Sequence, residues 1–163
     1  MLYQLPLLLP VAFLFTSTIS AFSGNFELTN ITVSSLSQFN PDSVEGSYVE
    51  LDFADQDTPE IEPVHCCVQW SANASPPTTW PGSSDNDTFA VLVSPWAGVQ
   101  ALTLDLQHSY IDNSVGEYPY NVLTKFANLS LEYPSTQYYD CDMSEAKCQS
   151  SSAITAIVTS STA

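Results

Sequence analysis

The side chains of this sequence equipped for chemistry are two histidines, a dense acidic run, a vicinal cysteine pair and a few aromatics in turn-rich stretches. His65 or His108, placed beside a serine hydroxyl, would serve as the base of acyl transfer. No Gly-x-Ser-x-Gly elbow occurs, and serines are too numerous for any one to stand out as a nucleophile. His65 therefore reads as a surface histidine. His108 reads as a strand-end histidine, on the apolar-face parity of LTLDLQ. Glu50, Asp52, Asp55, Asp57, Glu60 and Glu62 crowd one stretch. Two such carboxyls could be the acid and base of a glycosidase, and several could hold calcium, here or at Asp85-Asn86-Asp87. No pair stands out and the EF-hand spacing is absent, so the run reads as a solvated edge. Cys-x-x-Cys and His-x-x-x-His spacings are also absent, and the residues near the expected N-terminal cut, Ala21 and Phe22, offer no histidine for copper. No catalysis, metal or cofactor is expected.

What remains is binding. Trp80, Trp96, Tyr138 and Tyr139 fall in predicted loops, where aromatics stack on sugar faces or anchor a protein partner. The competing expectation is that Trp80 and Trp96 fold back over the ends of a β-sandwich.

The elements that must position these residues are strands. In Val64–Trp70 the period of two puts Val64, Cys66, Val68 and Trp70 on one face and His65, Cys67 and Gln69 on the other. In Tyr48–Phe53, Val49, Leu51 and Phe53 face inward. Phe26–Val33 changes parity between Leu28 and Ile31, which predicts a bulge or bend. Thr88–Val93, Val99–Leu106, the stretch Tyr120–Tyr133 (one bent strand or two) and Ser152–Val158 complete the candidates, with Ser94–Gly98 as a tight connection. No helical periodicity is sustained. The fold class is all-β, a disulfide-stapled antiparallel sandwich or barrel.

Met1 to about Ala21 carries an apolar core, LPLLLPVAFLF, followed by small residues, the pattern of a secretory signal. Residues 22–163 suit one β domain with a Ser/Thr-rich C-terminal end. The protein is expected to be secreted and extracellular. Cys66, Cys67, Cys141 and Cys148 then imply disulfides. A bond between the neighbours 66 and 67 is disfavoured on an extended strand, so Cys66 and Cys67 are expected to join Cys141 and Cys148 in one order or the other. Sequons at Asn30, Asn73, Asn86 and Asn128 predict a glycoprotein. Glycans at Asn30 or Asn128 would block a sheet edge.

The chain has 18 acids against 2 basic side chains and a formal net charge of −16. That balance excludes a nucleic-acid partner and an anionic membrane surface, both of which need Lys or Arg. It favours solubility, and use in an acidic medium, which a stability maximum above pH 8 would contradict.

The order of NFELTNITV, SYVELDF, CCVQW, PPTTW, FAVLV, LTLDLQHSY, the late cysteines and AITAIV resembles the small secreted β-proteins of fungi typified by the Alternaria major allergen family. The resemblance spans nearly all of residues 22–163. It implies a disulfide-held secreted β fold without established catalysis, an allergen-like or effector protein. The vicinal Cys66-Cys67, and Ser83 where a cysteine is expected, depart from the family's outline, so no disulfide map carries over. The expected function is binding of an extracellular protein or a cell-wall glycan. The alternatives are a carbohydrate-binding module using the loop aromatics and a carrier of small apolar ligands.

Overall fold

A computed structural model describes residues 24–80 and 84–162. The expected signal segment and Ser83 lie outside them. The described residues form β1 (Phe26–Ser34), a short 3-10 turn (Leu36–Gln38), β2 (Ser47–Asp55), β3 (Val64–Trp70), β4 (Phe89–Trp96), β5 (Ala101–Ile111), β6 (Val122–Glu132), β7 (Tyr139–Asp142), β8 (Lys147–Ser150), β9 (Ile154–Ala156) and β10 (Val158–Thr162). One antiparallel sheet runs β3-β2-β1-β8-β7, with β9 also on β1, and a second runs β10-β6-β5-β4. Both sheets have open edges, so the architecture is a sandwich and not a closed barrel. Among the described residues no helix is long and apolar enough to cross a membrane.

The period-two pattern decides what lies between the sheets. Val49, Leu51 and Phe53 of β2 and Val64, Cys66, Val68 and Trp70 of β3 are buried from one side. Phe89, Val91 and Val93 of β4 and Leu102, Leu104 and Leu106 of β5 meet them from the other. Each such side chain contributes roughly 1.5–3 kcal/mol by leaving water.

The parity change in β1 is a bulge. The register with β2 slips between Thr29 and Thr32, and Asn30 takes a positive φ of 53°. Phe26 and Leu28 before it, and Ile31 and Val33 after it, can then all point inward. The bulge also divides the other edge of β1. Residues Phe26–Leu28 pair with β9, and residues Thr32–Ser34 pair with β8.

Several expected boundaries move. Ser94–Gly98 is not a connection throughout, because β4 continues to Trp96, which pairs with Leu102 after a register slip. The turn is Ala97–Gln100, closed by Ala97 N–H donating to the Ala101 carbonyl at 2.9 Å. Gly98 holds φ 115° there, and a Cβ on it would run into the Gln38 side chain, whose Oε1 accepts from Val99 N–H. Tyr120–Tyr133 resolves into one strand, β6. Ser152–Val158 becomes two, β9 on the first sheet and β10 on the second. The Ser/Thr-rich end is thus an edge strand from Val158 to Thr162.

The disulfide expectation is overturned. Cys141 bonds to Cys148, and Cys66 and Cys67 are free thiols. The strand order explains why. Cys66 and Cys67 sit on β3 at one edge of the first sheet, while β8 and β7 lie three and four strands away. At about 4.8 Å per strand that is roughly 14–19 Å, beyond the ~7 Å Cα limit of a disulfide. Cys141 and Cys148 are register partners in the β7–β8 hairpin. The bond closes a short loop, of sequence separation 7. Changing both cysteines to alanine is therefore expected to cost about 2–3 kcal/mol by loop entropy, not the ~4 of a long-loop clamp. Urea unfolding of the double variant measures this, and a loss above ~4 kcal/mol would contradict a purely local staple.

The two free thiols differ. Cys66 is buried, and burial, helped by the charges of Asp85 and Asp52, pushes its thiol up to about 12. Cys67 is half-exposed on the outer face and accepts a hydrogen bond from Gln69 Nε2 at 3.1 Å. Iodoacetamide at pH 8 is expected to alkylate Cys67 and spare Cys66 until urea is added. Peptide mass analysis would read this; equal labelling of both thiols in the folded protein would contradict the assigned burial.

Candidate functional site

Three strands bring the chemistry together. Asp55 extends the inward series Val49-Leu51-Phe53 at the end of β2. His108 extends Leu102-Leu104-Leu106 on β5, and Lys125 stands between Leu123 and Ala127 on β6. His108 is the register partner of Lys125 on one side and of Phe89 on the other. A carboxylate from the first sheet thus meets two adjacent bases of the second. Asp55 Oδ2 lies 2.8 Å from His108 Nδ1, and Asp55 Oδ1 accepts from Lys125 Nζ at 2.5 Å. Lys125 Nζ also donates to Asp57 Oδ2 at 2.8 Å. The side chains of Asp55, His108 and Lys125 are fully buried. Burial alone would raise the Asp55 carboxyl. The hydrogen bonds from His108, Lys125 and the Asp57 N–H, with the Lys125 charge, outweigh it and hold Asp55 below the ordinary carboxylate range.

The His108 ring stacks on Phe89, with centroids 3.8 Å apart, and on Tyr110 at 5.3 Å. Asp55 accepts at Nδ1, so that nitrogen carries a proton. Nε2 is buried and has no hydrogen-bond partner in the structure. A buried polar nitrogen without a partner is uncommon, since its desolvation goes uncompensated.

His108 forms part of the wall of a cleft of about 810 Å³ at this end of the sandwich. The segment after β2 supplies Asp57, Thr58, Glu60 and Ile61, and the approach to β4 supplies Asn86 and Thr88. The end of β5 with the loop after it runs from His108 to Asn113, and Val122 closes the lining. The cleft is acidic. Burial first, then the charges of Asp57, Asp55 and Asp112, push the Tyr110 hydroxyl up to about 12, so it stays a donor. Asp112 is held low by the Ser114 hydroxyl and N–H.

The Asp55–His108 pair has the orientation of a catalytic base, but no hydroxyl is held on Nε2. Ser109 turns to Thr124 Oγ1 at 2.8 Å, and the Thr88 hydroxyl donates to Asn86 Oδ1 at 2.9 Å. Among the described residues no group of three or more His, Cys, Asp or Glu side chains is placed to hold a metal ion.

Other expected site residues separate. His108 is not at a strand end but buried within β5, and Asp55 is not part of a solvated edge. His65 stays on the outer face, paired with its cross-strand neighbour Asp52 at 3.1 Å. The four aromatics do not form one platform. Tyr139 is buried, its hydroxyl donating to the Val99 carbonyl at 2.6 Å, and so leaves the expected binding set. Trp96 packs edge-on against Trp70 with centroids 5.0 Å apart, as a capping residue would. Trp80 and Tyr138 are exposed. The sequon residues Asn30, Asn73 and Asn128 are exposed, and Asn86 is half-buried in the cleft wall. Asn30 and Asn128 do not protect a sheet edge, because β1 and β6 are interior strands. Their side chains instead bond across the outer faces to Asp52 and Asp105. Part of the real β3 edge is covered by Ser84 and Asp85, which bridge to Cys66 and His65.

Sequence reasoning missed Lys125 and the cleft. Its available signal was parity: a lysine and a histidine, on neighbouring strands, each at an inward position. Comparison of the chain with protein-family models, with curated proteins and with solved structures returned no match.

Proposed function

We propose that this is a secreted, non-enzymatic protein that binds an extracellular host or cell-wall component, and that the cleft beside His108 is where it binds. The observation that carries the reading is the cleft itself, roomy enough for a small ligand or a partner's side chains. The resemblance to fungal secreted β-proteins supports the same effector or allergen-like role. The carbohydrate-binding alternative now rests on Trp80 and Tyr138, and the apolar-carrier alternative on Ile61, Ile111 and Val122 within an otherwise polar cleft.

The test is retention of the glycosylated protein on cell-wall polysaccharides and on immobilised host extracellular proteins. Ile111→Arg, at an exposed cleft position, is expected to abolish retention while Trp80→Ala and Tyr138→Ala leave it intact. Retention that follows Trp80 and Tyr138 instead would move the site to those aromatics.

A further inference from the structure

We infer that an N-linked glycan on Asn86 forms one side of the cleft mouth and controls access to it. This rests on the cleft being the binding site. The first observation is position. Of the four sequon asparagines only Asn86 lines the cleft, and Thr88, which completes its sequon, lines it too. Asn73 sits at the opposite end of the sandwich, where its N–H and side chain bond to Ser37 and Pro41 of the β1–β2 connection. The nine residues of β2 separate that connection from Asp55, so Asn73 lies roughly 26–30 Å from the cleft. Asn30 and Asn128 stand on the outer faces of interior strands.

The second is the Asn86 amide. Its Oδ1 accepts from Thr88 N–H at 3.0 Å and from the Thr88 hydroxyl at 2.9 Å. A backbone N–H only donates, so the contact fixes which amide atom is the oxygen. Nδ2 donates to none of the described residues. At Asn30, Asn73 and Asn128 it is engaged already, by Asp52, the Pro41 carbonyl and Asp105. A sugar therefore joins Asn86 without displacing a bond of the fold. The donor is a lipid-linked oligosaccharide pyrophosphate. The bond from Nδ2 to the sugar C1 forms, the C1–O bond breaks, the pyrophosphate leaves with its electron pair, and Nδ2 gives up one proton. The third observation is the surface the first sugars meet. Ile61, Tyr110 and Ile111 offer cover to the C–H faces of a sugar, and Glu60 and Asp112 can accept from its hydroxyls. A neutral glycan meets no charge repulsion there.

The experiment is hydroxyl-radical footprinting of the full chain secreted from a glycosylating host, with glycopeptide mass analysis. Asn86 is expected to be occupied. Trimming the glycans of the parent with an endoglycosidase, or removing the sequon by Thr88→Ala, should raise oxidation of Ile61, Tyr110 and Ile111 at least threefold. Thr88→Ser keeps the sequon and should stay protected. Ser75→Ala removes the Asn73 sequon and should leave the cleft rates unchanged. Tyr138, exposed beyond the other end of β6, should not respond to Thr88→Ala. A bare Asn86, cleft rates unmoved by trimming and by Thr88→Ala, or an equal rise in Ser75→Ala would overturn the assignment. Retention is read on the same forms. A footprint that opens together with stronger retention supports glycan and cleft alike. An opened footprint with retention indifferent to trimming and to Ile111→Arg would overturn the cleft as the binding site and keep the glycan over it. An unmoved footprint with Ile111-dependent retention would overturn the glycan alone.

Discussion

Replacing Lys125 by methionine is expected to destabilise the protein by about 3–5 kcal/mol, the usual cost of removing one partner from a buried ion pair. Methionine keeps the length and the apolar contacts of the stem, including its approach to the Phe26 ring, 5.1 Å from Nζ to the centroid. It removes the charge shared by Asp55 and Asp57. Asp55, with its side chain fully buried, keeps only His108 and the Asp57 N–H. Removing the buried carboxylate as well, in Asp55→Asn with Lys125→Met, should recover part of the loss, and the double-mutant cycle gives the coupling. Urea unfolding measures both. A cost under about 1 kcal/mol for Lys125→Met is what an exposed pair would show, and would contradict the buried network.

The same network sets an acid limit. The folded-state pKa of Asp55 lies below its unfolded value. Its contribution to stability is therefore present above the unfolded value of about 4 and is lost as pH falls through the folded one. Losing Lys125 removes one cause of the depression, so the acid transition of Lys125→Met should begin at higher pH than that of the parent. An unchanged acid transition would mean that Lys125 does not hold Asp55 down.

Parity was legible and partners were not. The alternation in SYVELDF and VHCCVQW assigns faces correctly for Val49, Leu51, Phe53, Cys66 and Trp70, and the break at Asn30 marks the bulge. Such patterns are local, because successive side chains alternate whatever the strand is paired with. Strand order is not local. Cys66 faces inward as read, yet its distance from Cys148 depends on β2 and β1 lying between their strands. The site is illegible for the same reason. Asp55, His108 and Lys125 each break an apolar series on its inward side, but the sequence separations of 53 and 70 that bring them together follow from how the two sheets stack. Tyr138 and Tyr139 show the limit within one dipeptide. Tyr138 takes a positive φ of 67° and stays exposed, while Tyr139 begins β7 and turns inward.

Phe53→Ala is expected to cost about 3–5 kcal/mol, the range for truncating a buried aromatic. Phe53 is fully buried at the centre of an aromatic chain that joins the sheets. Its ring meets Phe26 edge-on with centroids 4.8 Å apart and Phe89 edge-on at 5.0 Å. Each contact adds roughly 0.5–1.5 kcal/mol beyond burial. Phe53→Leu keeps much of the volume and loses only the ring geometry, so its cost should be well below that of alanine. Urea unfolding orders the two, and equal costs would mean that the aromatic contacts, not the volume, carry the energy. The chain of rings does not stop at the core. Phe89 stacks on His108, whose ring stands in the cleft wall. A cavity at Phe53 removes the support behind Phe89, so the alanine variant should weaken binding at the cleft even where it remains folded. Titration below its unfolding temperature reads that effect. Unchanged affinity in a folded Phe53→Ala protein would show that the cleft wall does not depend on the support behind Phe89.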